Sequence, residues 1–312
     1  MRFTKELFSK GSFGGGFGGS SPESLPPEIA GAAPPCVSVT FVPHNRKENG
    51  FTVDAEMLAI FKKELRTYFT GATGYVYVGV FLALSALICC YTTLQSNTYS
   101  TSSYFTIMIF VLIILLPLLT MRLFAEERKM RTEQLLLTAP VSLTSMVLGK
   151  FFAAFTLYLG TILFSCINFF PLYAIGRAER LANDSSVSHI GPVTGQIAGS
   201  IIGILLIGAA FLAVGVFISA LTENQLSAAV ITIAVILVMV ASGLLTQITD
   251  SEGQYIIASY PIRFVLNWFS VLSRFSAFSS GYFDIAALIY YFSITAVFLF
   301  LTVRVYDRRR WA

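Results

Sequence analysis

Six apolar runs dominate the chain, at about residues 75–91, 104–121, 151–173, 197–221, 226–245 and 285–303. A bilayer core of about 30 Å takes about 20 helical residues to cross, and each run is within reach of that length. None carries Asp, Glu, Lys, Arg or His, unless a shifted boundary takes in an edge residue. Charge-free runs of this kind insert as helices. The pattern predicts an all-α integral membrane protein with six transmembrane helices.

Residues 54–70 show a different period. Met57, Leu58, Phe61, Leu65, Tyr68 and Phe69 fall within about 120° of one another at helical spacing, while Lys62, Lys63 and Arg66 fall opposite. Asp54 suits an N-cap and Gly71 a stop. This predicts a helix lying in the membrane interface, with Phe61 and Leu65 toward the acyl chains and Lys62, Lys63 and Arg66 toward head groups. Residues 1–53 contain the stretch GSFGGGFGGSSPESLPP and a Pro34-Pro35 pair. Such composition offers too little apolar surface to offset ordering entropy. A disordered cytoplasmic tail over 1–53 and a membrane domain over 54–312 are expected. The first thirty residues lack the apolar core of a signal peptide.

Composition agrees with the pattern. The 312 residues are 55% hydrophobic and only 12% charged, against about 25% charged in soluble domains. With residues 1–53 set aside, the segments on the N-terminal side of the membrane hold 12 Lys and Arg. The opposite side holds Arg177, Arg180, Arg263 and Arg274. The positive-inside rule puts both termini in the cytoplasm of a cell inner or plasma membrane.

Two connections stand out. The cytoplasmic 122–150 carries a mixed-charge cluster, Glu126 to Glu133, then Leu135-Leu136-Leu137 and Pro140. A short helix with a charged face and an apolar ridge suits either a docked partner or a solvated hairpin. The outer 246–284 is apolar but interrupted by Pro261, Arg263, Arg274 and Gly281. Short helices that enter the outer leaflet and return are expected there.

Site chemistry is sparse. His44 and His189 both lie outside the runs, and no HExxH occurs. Ionisable groups at membrane depth, which proton- and ion-coupled carriers use, are missing from the pattern. Gly149-Lys150 looks like the end of a P-loop, but positions 144 and 151 are Thr and Phe, so ATP binding by this chain is not expected. Cys36, Cys89, Cys90 and Cys166 show no metal-ligand spacing. No catalytic residue, metal or bound cofactor is expected. Gly195, Gly199 and Gly203, four apart, predict a flat helix-packing seam, within the chain or between subunits. Pro117 predicts a kink or a freed carbonyl in the second run.

Three stretches carry a family resemblance. MLAIFKKELRTYFTGATGY at 57–75, FAEERKMRTEQLLLTAP at 124–140 and FSAFSSGYFDIAALIYYFS from 275, ending in RRRW, resemble the permease subunit of type-2 ABC transporters. They are most similar to the branch with the gliding-motility permease and the nitrous oxide reductase maturation permease. The resemblance implies an exporter-type permease in which 54–70 is an elbow helix, 246–284 is re-entrant and 122–150 is a coupling loop. It implies separate ATPase subunits that carry ATP and Mg, a second permease subunit in a homodimer or paralogous heterodimer, surrounding lipid, and no nucleic acid. Carried residue by residue, Glu126, Glu127, Arg128, Thr132 and Glu133 are the ATPase contacts, and joint charge reversal of Glu126 and Glu127 is expected to uncouple transport without harming the fold. The family pattern begins near Met57, so 1–53 departs from it. A motility or mechanotransmission subunit without solute flux is the alternative within the fold. An ATP-independent channel or carrier and an intramembrane enzyme are the alternatives outside it.

Overall fold

The longest apolar run becomes the centre of the molecule. In a computed structural model describing residues 50–95, 99–131, 142–182, 191–246, 248 and 259–311, ten helices follow one another. They are α1 (Gly50–Thr70), α2 (Ala72–Cys89), α3 (Ser102–Lys129), α4 (Leu143–Ser165), α5 (Phe170–Ala182), α6 (Thr194–Leu221), α7 (Gln225–Leu245), α8 (Tyr260–Phe269), α9 (Leu272–Ser279) and α10 (Ile285–Trp311). No strand occurs among the described residues. Six helical stretches are long and apolar enough to cross a membrane: Ala72–Thr93, Ser102–Lys129, Leu143–Glu179, Thr194–Leu221, Gln225–Leu245 and Ile285–Arg310.

α6 is apolar all round, so it has no face to give to water. α3 and α10 flank it along its length, and α4, α7 and α9 complete its surroundings. Small residues set the distances. A Cβ on Gly208 would overlap the Tyr158 ring of α4, and one on Gly215 would overlap Thr120 of α3. The Tyr158 hydroxyl then reaches across and donates to the Ile204 carbonyl at 2.6 Å. Polar contacts of this kind join helices inside an apolar medium. Tyr104 and Ser165 share another at 2.8 Å, and Asn168 Nδ2 donates to Ser85 Oγ at 2.8 Å. By contrast α2 and α10 keep most of their apolar surface uncovered, including Tyr75, Leu87, Phe292 and Phe300. Lipid solvates such a surface as well as protein does.

The boundaries differ from the sequence pattern in two places. The third run does not form one helix over 151–173. α4 starts at Leu143 and ends at Ser165, a tight turn follows at Cys166–Phe169, and α5 begins at Phe170. Pro171 explains the break: it lacks an N–H and its ring crowds the carbonyl four residues back, at Ile167, inside the tight turn. The 122–150 connection is shorter than expected. α3 continues to Lys129 and α4 starts at Leu143, where Ser142 Oγ caps the Ser145 amide at 3.3 Å. Only 130–142 lies between them. Pro117 does not end α3, which continues through it.

Among its described residues, 246–284 holds two short helices, α8 and α9, split at Ser270. α9 lies on α6, and α8 on α7. A Cβ on Gly199 would meet the Phe278 carbonyl at 2.7 Å, and one on Gly203 the Phe278 Cβ at 2.9 Å. A Cβ on Gly195 would meet nothing within 4 Å. Two of the three seam glycines therefore serve packing within the chain, against α9.

Candidate functional site: a buried ion bridge between α1, α3 and α4

α1 packs on α4 and α2, but by only part of its apolar stripe. Leu58 and Phe69 are exposed, while Glu64 and Tyr68 are buried. The close approach occurs at Gly149, where a Cβ would meet the Met57 carbonyl and the Ile60 side chain, both at 3.1 Å. One residue further along α4 is Lys150, which is only 1% exposed.

Lys150 holds three elements together. Its Nζ donates to Glu64 Oε1 of α1 at 3.0 Å, to Glu127 Oε1 of α3 at 2.7 Å and to the Leu123 carbonyl of α3 at 2.9 Å. All three ammonium protons have acceptors. The ammonium also lies 5.1 Å from the Phe124 ring centroid. Phe124 stacks against Tyr306 of α10, with centroids 5.0 Å apart. The carboxylate side chains of Glu64 and Glu127 are 12% and 20% exposed. A cation so placed is stable only while its partners stay.

Neighbouring contacts extend the bridge. Glu56 of α1 accepts from the Ser142 amide at 3.2 Å, putting a carboxylate at the α4 N-terminus, where the helix dipole favours it. Tyr68 donates to the Leu119 carbonyl of α3 at 3.3 Å. Burial, reinforced by nearby Glu64, holds this hydroxyl far above the ordinary phenol range. Ser219 of α6 accepts from the Phe124 and Ala125 amides at 3.2 Å each. One end of α1, α3, α4, α6 and α10 is thereby tied into a single unit.

The residues assigned to ATPase contact have distinct surroundings. Glu126 pairs with Arg122 through two bonds of 2.8 and 2.9 Å and stays 40% exposed. Glu127 faces inward to Lys150. Arg128 donates to the Ala220 and Leu221 carbonyls at 2.7 and 3.1 Å, satisfying acceptors that the end of α6 leaves open. Thr132 and Glu133 lie outside the described residues. Joint reversal of Glu126 and Glu127 would put one cation beside Arg122 and another beside buried Lys150, leaving Glu64 as its single carboxylate, so the double variant is expected to cost stability through position 127. Of the elbow residues, Phe61 and Leu65 are half-buried, while Lys62, Lys63 and Arg66 are exposed.

Arg128→Ala is expected to lower stability by about 1.5–3 kcal/mol, the range for hydrogen bonds from a charged donor. Unfolding in rising SDS would measure it. Arg128→Lys should fall between, since it keeps the charge and loses the fork.

Sequence reasoning passed over Lys150 and Glu64. Lys150 read as a failed P-loop residue, and Glu64 was not among the charges singled out on the amphipathic helix. The available signal was positional: a lysine directly before a span, eight residues into its own helix.

These helices define a multi-pass, all-α membrane protein whose buried Lys150 ion bridge lies at the end rich in Lys and Arg. The sequence profile of the ABC-2 family transporter proteins matches residues 62–305, from within α1 to the last turns of α10. The chain belongs to that family and forms a membrane permease domain. No curated protein matches the chain.

Proposed function

We propose that this chain is the permease subunit of an exporter that works with separate ATPase subunits and a second permease subunit. It lies in the inner or plasma membrane with both termini in the cytoplasm, as the distribution of Lys and Arg supports. The elbow role of α1 and a re-entrant position for α8 and α9 belong to the same reading. The stretches at 124–140 and from 275 support placement in the branch with the gliding-motility and nitrous oxide reductase maturation permeases.

The observation that carries the reading is the Lys150 bridge. An ATPase that pushes on 130–142 needs both ends of that segment connected to the bundle. The bridge connects them directly: Glu127 lies just before the segment, Lys150 just after it, and Glu64 extends the link to α1. Displacement of the segment then moves α1, α3 and α4 together and biases a two-state membrane assembly. ATP and Mg belong to the partner.

Glu126 offers the clean test because its pair with Arg122 is on the surface, where such pairs contribute about 0–1 kcal/mol. Tagged full-length chain would be purified from native membranes in mild detergent, and the eluate assayed for ATPase activity. Co-purification of an ATPase subunit, reduced by Glu126→Arg at unchanged thermal stability, is the expected result. An ATPase-free chain that conducts or binds a solute by itself would overturn the reading and favour a channel or carrier. ATP-driven shape change without flux would favour the motility alternative.

A further inference from the structure

A groove of about 740 Å³ runs between α4, α6 and α10, within the size range of ligand sites. Phe151 and Phe155 line one wall, Leu206 and Ala209 the floor, and α10 the other wall from Tyr291 to Asp307. That wall is about 24 Å long, longer than the roughly 15 Å of one leaflet's hydrocarbon. Charge is confined to one end, where Arg304 and Asp307 form the rim. Arg304 lies 3.6 Å from Asp307 and 5.0 Å from the Phe300 ring centroid. The last turn of α10 continues with Arg308, Arg309 and Arg310. Arg304 is therefore the cation at the mouth of an apolar channel, and Arg308 follows one turn later on the same face of α10.

We propose that this groove binds an anionic phospholipid, with an acyl chain along Phe151, Phe155 and Leu206 and its phosphate at Arg304 and Arg308. Length and polarity match an amphiphile: apolar along the shaft, cationic at one end only. Basic clusters at helix ends attract anionic head groups. A second copy of this chain fits poorly. Two-fold symmetry about the membrane normal would bring its own four arginines to the same end. The proposal is independent of ATPase coupling.

Native mass spectrometry of the full-length chain, delipidated in mild detergent, would test it with dioleoyl phosphatidylglycerol against dioleoyl phosphatidylcholine. The expected result is a roughly tenfold preference for phosphatidylglycerol. Arg304→Gln with Arg308→Gln should abolish the preference while leaving weak binding of both lipids. Ala209→Phe should reduce binding of both by filling the groove. Ala296→Phe on the facing wall serves the same purpose if Ala209→Phe does not fold. Equal binding of the two lipids by the unaltered chain would overturn the proposal, as would groove-filling variants that bind normally, which would leave only annular lipid. Loss of a dimer in those variants with unchanged lipid binding would instead assign the groove to a second copy and overturn it too.

Discussion

Lys150→Met is expected to lower stability by about 3–5 kcal/mol, the range for removing one partner of a buried ion pair. Methionine fills a similar volume, so little of the loss comes from a cavity. The loss comes from Glu64 and Glu127, which would lose their shared cation. The Leu123 carbonyl would also lose its donor. SDS-induced unfolding of the purified chain, followed by tryptophan fluorescence, would measure the loss. The same logic predicts a rescue. Lys150→Met combined with Glu64→Leu and Glu127→Leu removes the charges together, and apolar replacement of a complete buried ion cluster is often close to neutral. The triple variant should recover most of the stability but not the mechanical link between α1, α3 and α4. A triple variant as unstable as Lys150→Met would show that packing, not charge, dominates there. A stable triple variant with normal coupled ATP hydrolysis would remove the bridge from the mechanism.

Gly208→Ala is expected to destabilise by about 1–3 kcal/mol, the usual cost of inserting a methyl group into a filled core. The new Cβ would overlap the Tyr158 ring. That ring cannot retreat easily, since Tyr158 is fully buried and its hydroxyl is bound to Ile204. Tyr158→Phe should not rescue the variant because the ring stays in place. Tyr158→Leu should rescue it in part, at the cost of a hydrogen bond. Gly160→Ala on α4 is the control: a Cβ there would meet nothing within 4 Å, and alanine is better than glycine in a helix by about 0.5–1 kcal/mol. Thermal unfolding monitored by gel filtration in detergent distinguishes the two. Equal behaviour of Gly208→Ala and Gly160→Ala would show that the α4–α6 contact is looser than the structure indicates.

The parts legible in the sequence share a physical cause. A membrane-crossing helix must satisfy its own backbone hydrogen bonds and bury apolar side chains over a fixed length. Both requirements are local, so six runs of the right length and composition identify six crossings. The start of α10 at Ile285 and the ends of α6 at Leu221 and α7 at Leu245 coincide with the ends of apolar runs. The break at Cys166–Phe169 was harder to see, because Pro171 lies inside an unbroken apolar stretch and composition alone does not register it.

Other features needed the folded chain. Lys150 and Glu64 are 86 residues apart, and Lys150 and Glu127 are 23 apart. Charges beside a span look the same in sequence whether they face water or one another. Gly199, Gly203 and Gly208 were likewise small residues without an address until α9 and Tyr158 were placed against them. Which apolar faces are covered is also a tertiary matter. Lipid and protein interiors are similarly apolar, so the residues of α6, mostly buried, and those of α10, largely uncovered, have the same hydrophobic character. The sequence by itself determined that the chain crosses a membrane, where it crosses and which end carries the cations. Only the tertiary structure decided which helix is central, which charges are buried together and where an open groove remains, because those depend on contacts between residues far apart in the chain.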